Sequence, residues 1–233
     1  MKEGFEKFGI VLLILSSVYL GVQTCRGCYS LKREGIRQEI REEIVNKYEL
    51  EKTNEDRIND TYHITSYFME KARENVKNNF YKIWLDVKYA RKNMEKNGGL
   101  EALKDIEIGF RPLIEAIAIV ESGGRNYVKS NKGAKGIVQF RDALIKKYNI
   151  NPYDVKESLK ACEKEIKRLI GKYDNIPLAL AAYNYGEKNV DRLLKKYKEK
   201  IIQKLPKQTF AFIIKVLSRD KILRKIYLSE YYK

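Results

Sequence analysis

The stretch from Arg111 to Gly124, RPLIEAIAIVESGG, sets the tightest limit on what this chain can fold into. Pro112 suits the first turn of a helix, and Gly123 with Gly124 stops it. The residues between are too apolar for a surface helix and call for burial. Glu121 follows Ala118 by three residues, Ile117 by four and Ile114 by seven. That spacing puts its carboxyl on the apolar face. An acid in such a position must be partnered, protonated or functional. It also stands at the negative end of the helix dipole, which together with partial burial raises its pKa. A carboxyl tuned in this way suits general acid work near neutral pH. Glu115, on the same helix, points elsewhere and reads as a surface residue.

A second apolar helix is expected from Ile176 to Tyr185, started by Pro177 and ended by Gly186. Ala179, Ala181 and Ala182 allow close packing, and Tyr183 and Asn184 emerge at its C-terminal end, as Glu121 does from the first helix. Two buried helices ending in polar groups can converge on one cleft. Between them lies SNKGAKGIVQF, from Ser130 to Phe140. Gly133 and Gly136 let backbone approach a ligand closely, and Gln139 offers a donor and an acceptor to sugar hydroxyls or amides.

These three blocks, in this order and spacing, resemble the signature of the lytic transglycosylases of the goose-lysozyme-like superfamily. The blocks are Glu121-Ser122, then Gly133-Ala134-Lys135-Gly136-Ile137-Val138-Gln139, then Ala182-Tyr183-Asn184-Tyr185-Gly186. Leu205-Pro206 through Thr209 to Phe212 resembles a further family stretch, with Phe212 in place of a Tyr. Ile137-Val138 replaces a Leu-Met pair, and Tyr185 replaces an Ala. The resemblance covers about residues 110–220.

The resemblance implies a mainly α, lysozyme-like helical catalytic domain with a substrate groove. It implies cleavage of the bond between N-acetylmuramic acid and N-acetylglucosamine in peptidoglycan, leaving a 1,6-anhydro ring. Carried over by position, Glu121 is the acid/base, and Ser122, Ser130, Gly133, Gly136, Gln139, Tyr183 and Asn184 bind substrate. Most retaining glycosidases use two carboxylates, but one suffices when the substrate's N-acetyl group assists. Asp142 and Asp154 are the other acids in reach, and surface or capping roles suit them better. No metal and no cofactor is expected. A hydrolytic muramidase on the same fold, or a non-catalytic peptidoglycan-binding envelope protein, are the alternatives.

Upstream, residues 1–30 read as a signal anchor or signal peptide, 31–109 as a helical stalk or cap, and 110–233 as the catalytic domain. The uncharged run from Phe8 to Val22 spans 15 residues, the length of a secretory signal's apolar region. Arg26, Lys32 and Arg33 follow it, a charge order that by itself favours a cytoplasmic C-terminal side. The site chemistry outweighs that, so the expectation is a membrane-anchored protein of the cell envelope with its catalytic domain extracytoplasmic. A cell-envelope protein complex is a compatible partner. Stripes at Ile36, Ile40, Ile44 and Tyr48, and at Ile58, Tyr62, Met69, Ala72, Val76, Phe80, Ile83, Val87 and Met94, predict two amphipathic helices in the stalk. Phe80, Tyr81 and Trp84 are expected to pack.

Composition narrows the partners. The net charge is +16. Residues 1–110 are almost balanced, with 19 Lys/Arg against 18 Asp/Glu, whereas residues 111–233 hold 28 against 13. The basic half favours an anionic partner. No nucleic-acid-binding module is recognisable, so nucleic acid is not the expected one. Cys25 and Cys28 form a lone C-x-x-C without a second pair for zinc, and His63 is the only histidine. A Cys- or His-based catalytic centre is therefore not expected.

Overall fold

A computed structural model describes residues 55–231. The apolar run Phe8–Val22 expected to be a signal anchor or signal peptide, the C-x-x-C and the stripe from Ile36 to Tyr48 lie outside these residues. Among the described residues there are eight α-helices and no strands, and no helix is long and apolar enough to cross a membrane. The helices are α1 (Glu55–Lys96), α2 (Gly99–Ala102), α3 (Arg111–Ser122), α4 (Asp142–Tyr148), α5 (Val155–Tyr173), α6 (Ile176–Tyr185), α7 (Glu187–Tyr197) and α8 (Lys207–Tyr231). Short 3₁₀ turns at Leu103–Asp105 and Lys198–Lys204 join neighbours.

One compact unit runs from Asp60 to Lys233. At its centre is α3, which is buried from Pro112 to Ile119. It packs most extensively against α8, while α5 and α6 pack on each other and α6 also meets α8. The all-round apolarity of α3 and of α6 explains this central placing, because neither has a face to offer water. Asn175 caps α6 by accepting from the Leu178 amide at 2.9 Å, and Asp154 caps α5 through the Glu157 amide at 2.8 Å.

Helix α1 lies along α8 in the same direction. Phe68 meets Phe210, Asn75 donates to Ser218 at 2.9 Å, and Arg91 pairs with Glu230 at 3.1 Å. The buried face of α1 is Ile64, Phe68, Ala72, Ile83, Val87, Ala90 and Met94. This differs from the predicted stripe, in which Tyr62, Met69 and Phe80 also faced the core; all three are exposed. The physical reason is a break at Asn79, whose φ of −128° and ψ of 23° are non-helical and shift the phase of the helix. A single 3.6-residue period cannot be drawn through it. Phe80, Tyr81 and Trp84 do not pack in the core: Tyr81 and Trp84 stack on one another at the surface, and Lys88 lies 5.2 Å from the Trp84 ring centre.

Glu115 is the largest departure from the sequence expectation. It is fully buried, not on the surface. Because α3 is enclosed on every side, a polar residue off its most apolar stripe still ends up inside. Arg91 Nε lies 3.2 Å from Glu115 Oε1, and the Tyr227 hydroxyl donates to Oε2 at 2.7 Å. This triad ties the C-terminal parts of α1 and α8 to the first half of α3.

Candidate active site

Glu121 occupies the last turn of α3, one residue before its end at Ser122. Gly123 ends the helix in the left-handed region at φ 65°, and the amides of Gly123 and Gly124 close on the Ile119 and Ala118 carbonyls. The end is held from outside as well. Asn93 and Asn97, one turn apart near the C-terminus of α1, donate to the carbonyls of Gly123 and Gly124 at 2.9 Å each. These two asparagines were not foreseen. Their only sequence signal is four-residue spacing beside the buried Ala90 and Met94.

Burial pushes the Glu121 carboxyl up to about 7, against the opposing pull of the Arg141 guanidinium. Arg141 is the only charged group acting on it among the described residues. Asp142 is engaged by Lys135 at 2.8 Å and Asp154 by its helix cap. No group of acids, Cys and His that could hold a metal occurs among the described residues.

The loop after α3 folds back on itself through paired backbone at Lys129 with Lys135 and at Lys135 with Phe140. Ser130 and Gln139 are built into it. Ser130 Oγ accepts from the Ala134 amide at 3.0 Å. The Gln139 amide group donates to the Gly136 carbonyl at 2.8 Å and the Val128 carbonyl at 3.1 Å, leaving its side-chain oxygen as the group free to accept from a ligand. Gln139 itself sits at φ 52°, a strained conformation for a residue with a side chain. Ser122 is buried, donating to the Ala118 carbonyl at 3.0 Å and accepting from the Arg125 amide at 3.1 Å. Its hydroxyl braces the turn that follows Glu121.

Gly133 and Gly136 look alike in sequence but differ in what they do. Both have positive φ, 79° and 77°. A Cβ on Gly133 would meet nothing, whereas one on Gly136 would come within 1.8 Å of the Pro152 carbonyl oxygen. Gly136→Ala is therefore expected to cost roughly 3–5 kcal/mol from strain plus overlap, and Gly133→Ala only about 1–2 kcal/mol from strain. Thermal melts of the two variants check this. Equal, small losses would show that the loop's contact with Pro152 is not as described.

From α6, Tyr183 reaches under this loop. Its hydroxyl donates to the Val138 carbonyl at 2.8 Å, and its ring lies between Phe140 and Phe212, parallel to the latter within 10°. Burial pushes the phenol well above 10, so it stays a donor. Cys162 of α5 lies beside it with a thiol that burial pushes up, so this cysteine is unreactive. Asn184 accepts from Thr209 Oγ1 at 3.0 Å, which fixes the side chain and leaves its amide group as a donor for a ligand. Phe212 lacks a hydroxyl and supplies a stacking ring instead.

The structure thus gathers the loop residues Ser130, Gly133, Gly136 and Gln139 with Tyr183, which bonds to Val138 in the same loop, and Asn184 follows directly on α6. Both Tyr183 and Cys162 feel the field of Glu121. A surface depression of about 450 Å³, lined by Asn97, Glu101, Asp105, Asn126, Tyr153 and Lys156 among others, does not include the acid.

A helical domain that buries a lone, neutral-tuned carboxyl at a helix end, beside a glycine-bearing loop and an aromatic-amide helix end, has the build of a lysozyme-like glycan-cleaving protein. Residues 109–206 match the family model of the transglycosylase SLT domain. This part of the chain belongs to that family, the lytic transglycosylases of the lysozyme-like superfamily, whose activity is directed at peptidoglycan. No solved structure matches the chain.

Proposed function

We propose that the protein cleaves the β-1,4 bond between N-acetylmuramic acid and N-acetylglucosamine, with Glu121 as its single acid/base and a 1,6-anhydromuramic end as product. The observation that carries this is the half-buried Glu121 at the end of α3, pushed up to about 7 by burial, with Arg141 the only charged group acting on it among the described residues. Protonated Glu121 gives its proton to the glycosidic oxygen as the bond to C1 of the muramic sugar breaks. The sugar's own N-acetyl oxygen bonds to C1 and carries the positive charge. The Glu121 carboxylate then takes the proton of the 6-hydroxyl, whose oxygen attacks C1 and displaces the N-acetyl oxygen. The acid returns to its starting state, and water takes no part. In this scheme the Gln139 oxygen, the Asn184 amide and the loop at Gly133–Gly136 hold the sugar, and Ser122 and Tyr183 keep the acid and the loop in register.

On this reading the catalytic domain works in the cell envelope outside the cytoplasm, attached through the apolar run Phe8–Val22 as a signal anchor. Incubating the full-length chain with purified peptidoglycan tests the reading. Clearing of the suspension without a matching rise in reducing ends is expected; reducing ends equal to bonds broken would make it a hydrolytic muramidase.

A further inference from the structure

The loop and helix that follow Glu121 carry a dense positive charge. From Arg125 to Lys147 there are seven Lys or Arg residues and one acid, Asp142. Some of these cations are already engaged. Lys135 pairs with Asp142, Lys147 with Glu165, and Arg125 is tied down by donating from Nε to the Ser122 carbonyl at 2.8 Å. Lys129, Lys132 and Arg141 are exposed and make no ion pair among the described residues. Elsewhere on the domain comparable cations do find acids: Lys156 and Lys160 pair with Asp105, and Arg168 and Lys172 with Glu187.

Arg141 acts on Glu121, and Lys129 and Lys132 lie on the loop that leads to it. Single bridged pairs, Lys129 with Lys135 and Lys135 with Phe140, lay three short stretches of the loop side by side. Neighbouring runs lie about 4.8 Å apart, so Lys129 and Arg141 are within about 10–12 Å along the backbone. Arg141 stands at the position before α4, and its charge acts on Glu121. Helix α4 is in turn fixed to α5, because Lys147 and Tyr148 both donate to Glu165.

Substrate chemistry says what these cations meet. The stem peptide hangs from the lactyl ether on C3 of the same muramic sugar whose C1 bond is cut. Its first free carboxylates, two extended residues beyond the lactyl group, therefore lie within roughly 13 Å of the scissile bond. Amidation of those carboxylates is a chemically small change that removes their charge.

We propose that Lys129, Lys132 and Arg141 form a recognition lip for the free carboxylates of the stem peptide, so that the enzyme prefers glycan strands with unamidated stems. This rests on the cleavage assigned above and deepens it. The lip acts by steering and by exposed ion pairing, both of which salt weakens. It does not touch the reacting atoms.

The test compares three matched glycan strands with the full-length chain: free-acid stems, amidated stems, and strands stripped of peptide. The expected result at low salt is a kcat/KM roughly tenfold higher on free-acid than on amidated strands. The ratio should approach one at about 1 M salt, where the screening length is about 3 Å. It should also fall towards one in the double variant Lys129→Gln/Lys132→Gln. Because the ratio is taken within each protein, a general loss of folding does not change it. A low-salt ratio near one, with all three strands cleaved, overturns the lip and leaves the cleavage reading intact. A ratio that survives in the double variant overturns the assignment to these lysines. Failure to cleave any strand, stripped ones included, overturns the cleavage reading and the lip with it.

Discussion

Glu121→Gln is expected to lower kcat on peptidoglycan by on the order of 10³-fold, because it removes the proton donor and acceptor and leaves the sugar contacts in place. The same substitution is expected to stabilise the fold at alkaline pH. A carboxyl at about 7 in the folded state and about 4.5 when unfolded keeps its proton longer in the folded chain. Its contribution to stability is fully present below about 4.5 and is lost as pH rises through about 7. Above that pH the ionised carboxylate is a net burden that Gln does not carry. The variant should therefore be more stable than the wild type at pH 8 by roughly 1–3 kcal/mol, and indistinguishable from it near pH 4. Denaturant titrations at the two pH values, set beside the activity assay, check both halves. A variant that is inactive and destabilised at pH 8 would mean that Glu121 holds the fold together and is not a strained functional group.

The second large effect is structural. Glu115→Ala is expected to cost about 3–5 kcal/mol, because it leaves Arg91 with only the half-exposed Glu230 as partner, removes the acceptor of the Tyr227 hydroxyl and empties a buried site. That corresponds to a fall in Tm on the order of 10 °C for a unit of this size. Glu115→Gln keeps an acceptor for Tyr227 and should lose about half as much. Burial raises the Glu115 pKa while Arg91 and Tyr227 act the other way, so the ion pair stands against a desolvation cost. Activity in Glu115→Gln should stay close to wild type at temperatures where it is folded, since this triad is one and a half turns from Glu121. Thermal melts with activity at 25 °C separate the two contributions.

The contrast between Glu121 and Glu115 shows what the sequence could and could not convey. Pro112 and Gly123 bound α3, and Pro177 and Gly186 bound α6, as local chemistry dictates. The position of Glu121 follows from spacing, because the residues three, four and seven before it are apolar. Glu115 was missed because periodicity identifies one buried face, and α3 has no exposed one until its last turn. The partner that makes its burial tolerable, Arg91, comes from a helix whose buried face changes phase at Asn79, so that Tyr62, Met69 and Phe80 fall off the predicted stripe while Ile83, Val87 and Met94 stay on it. Arg91, Asn93 and Asn97 act through contacts with residues about 24 to 30 positions away, and nothing local marks them. The same limit applies to Gln139. Its residue type suits sugar binding, but that its amide group would be used on its own loop, at a positive φ, follows only from the folded backbone.

The most direct test of the central claim is mass spectrometry of the sugars released from peptidoglycan by the full-length chain, run beside Glu121→Gln. Muropeptides ending in anhydromuramic acid, one water lighter than their reducing counterparts, and produced only by the wild type, are the predicted result. Reducing ends from the wild type would contradict the intramolecular ring closure, and anhydro products persisting in Glu121→Gln would contradict the role of Glu121.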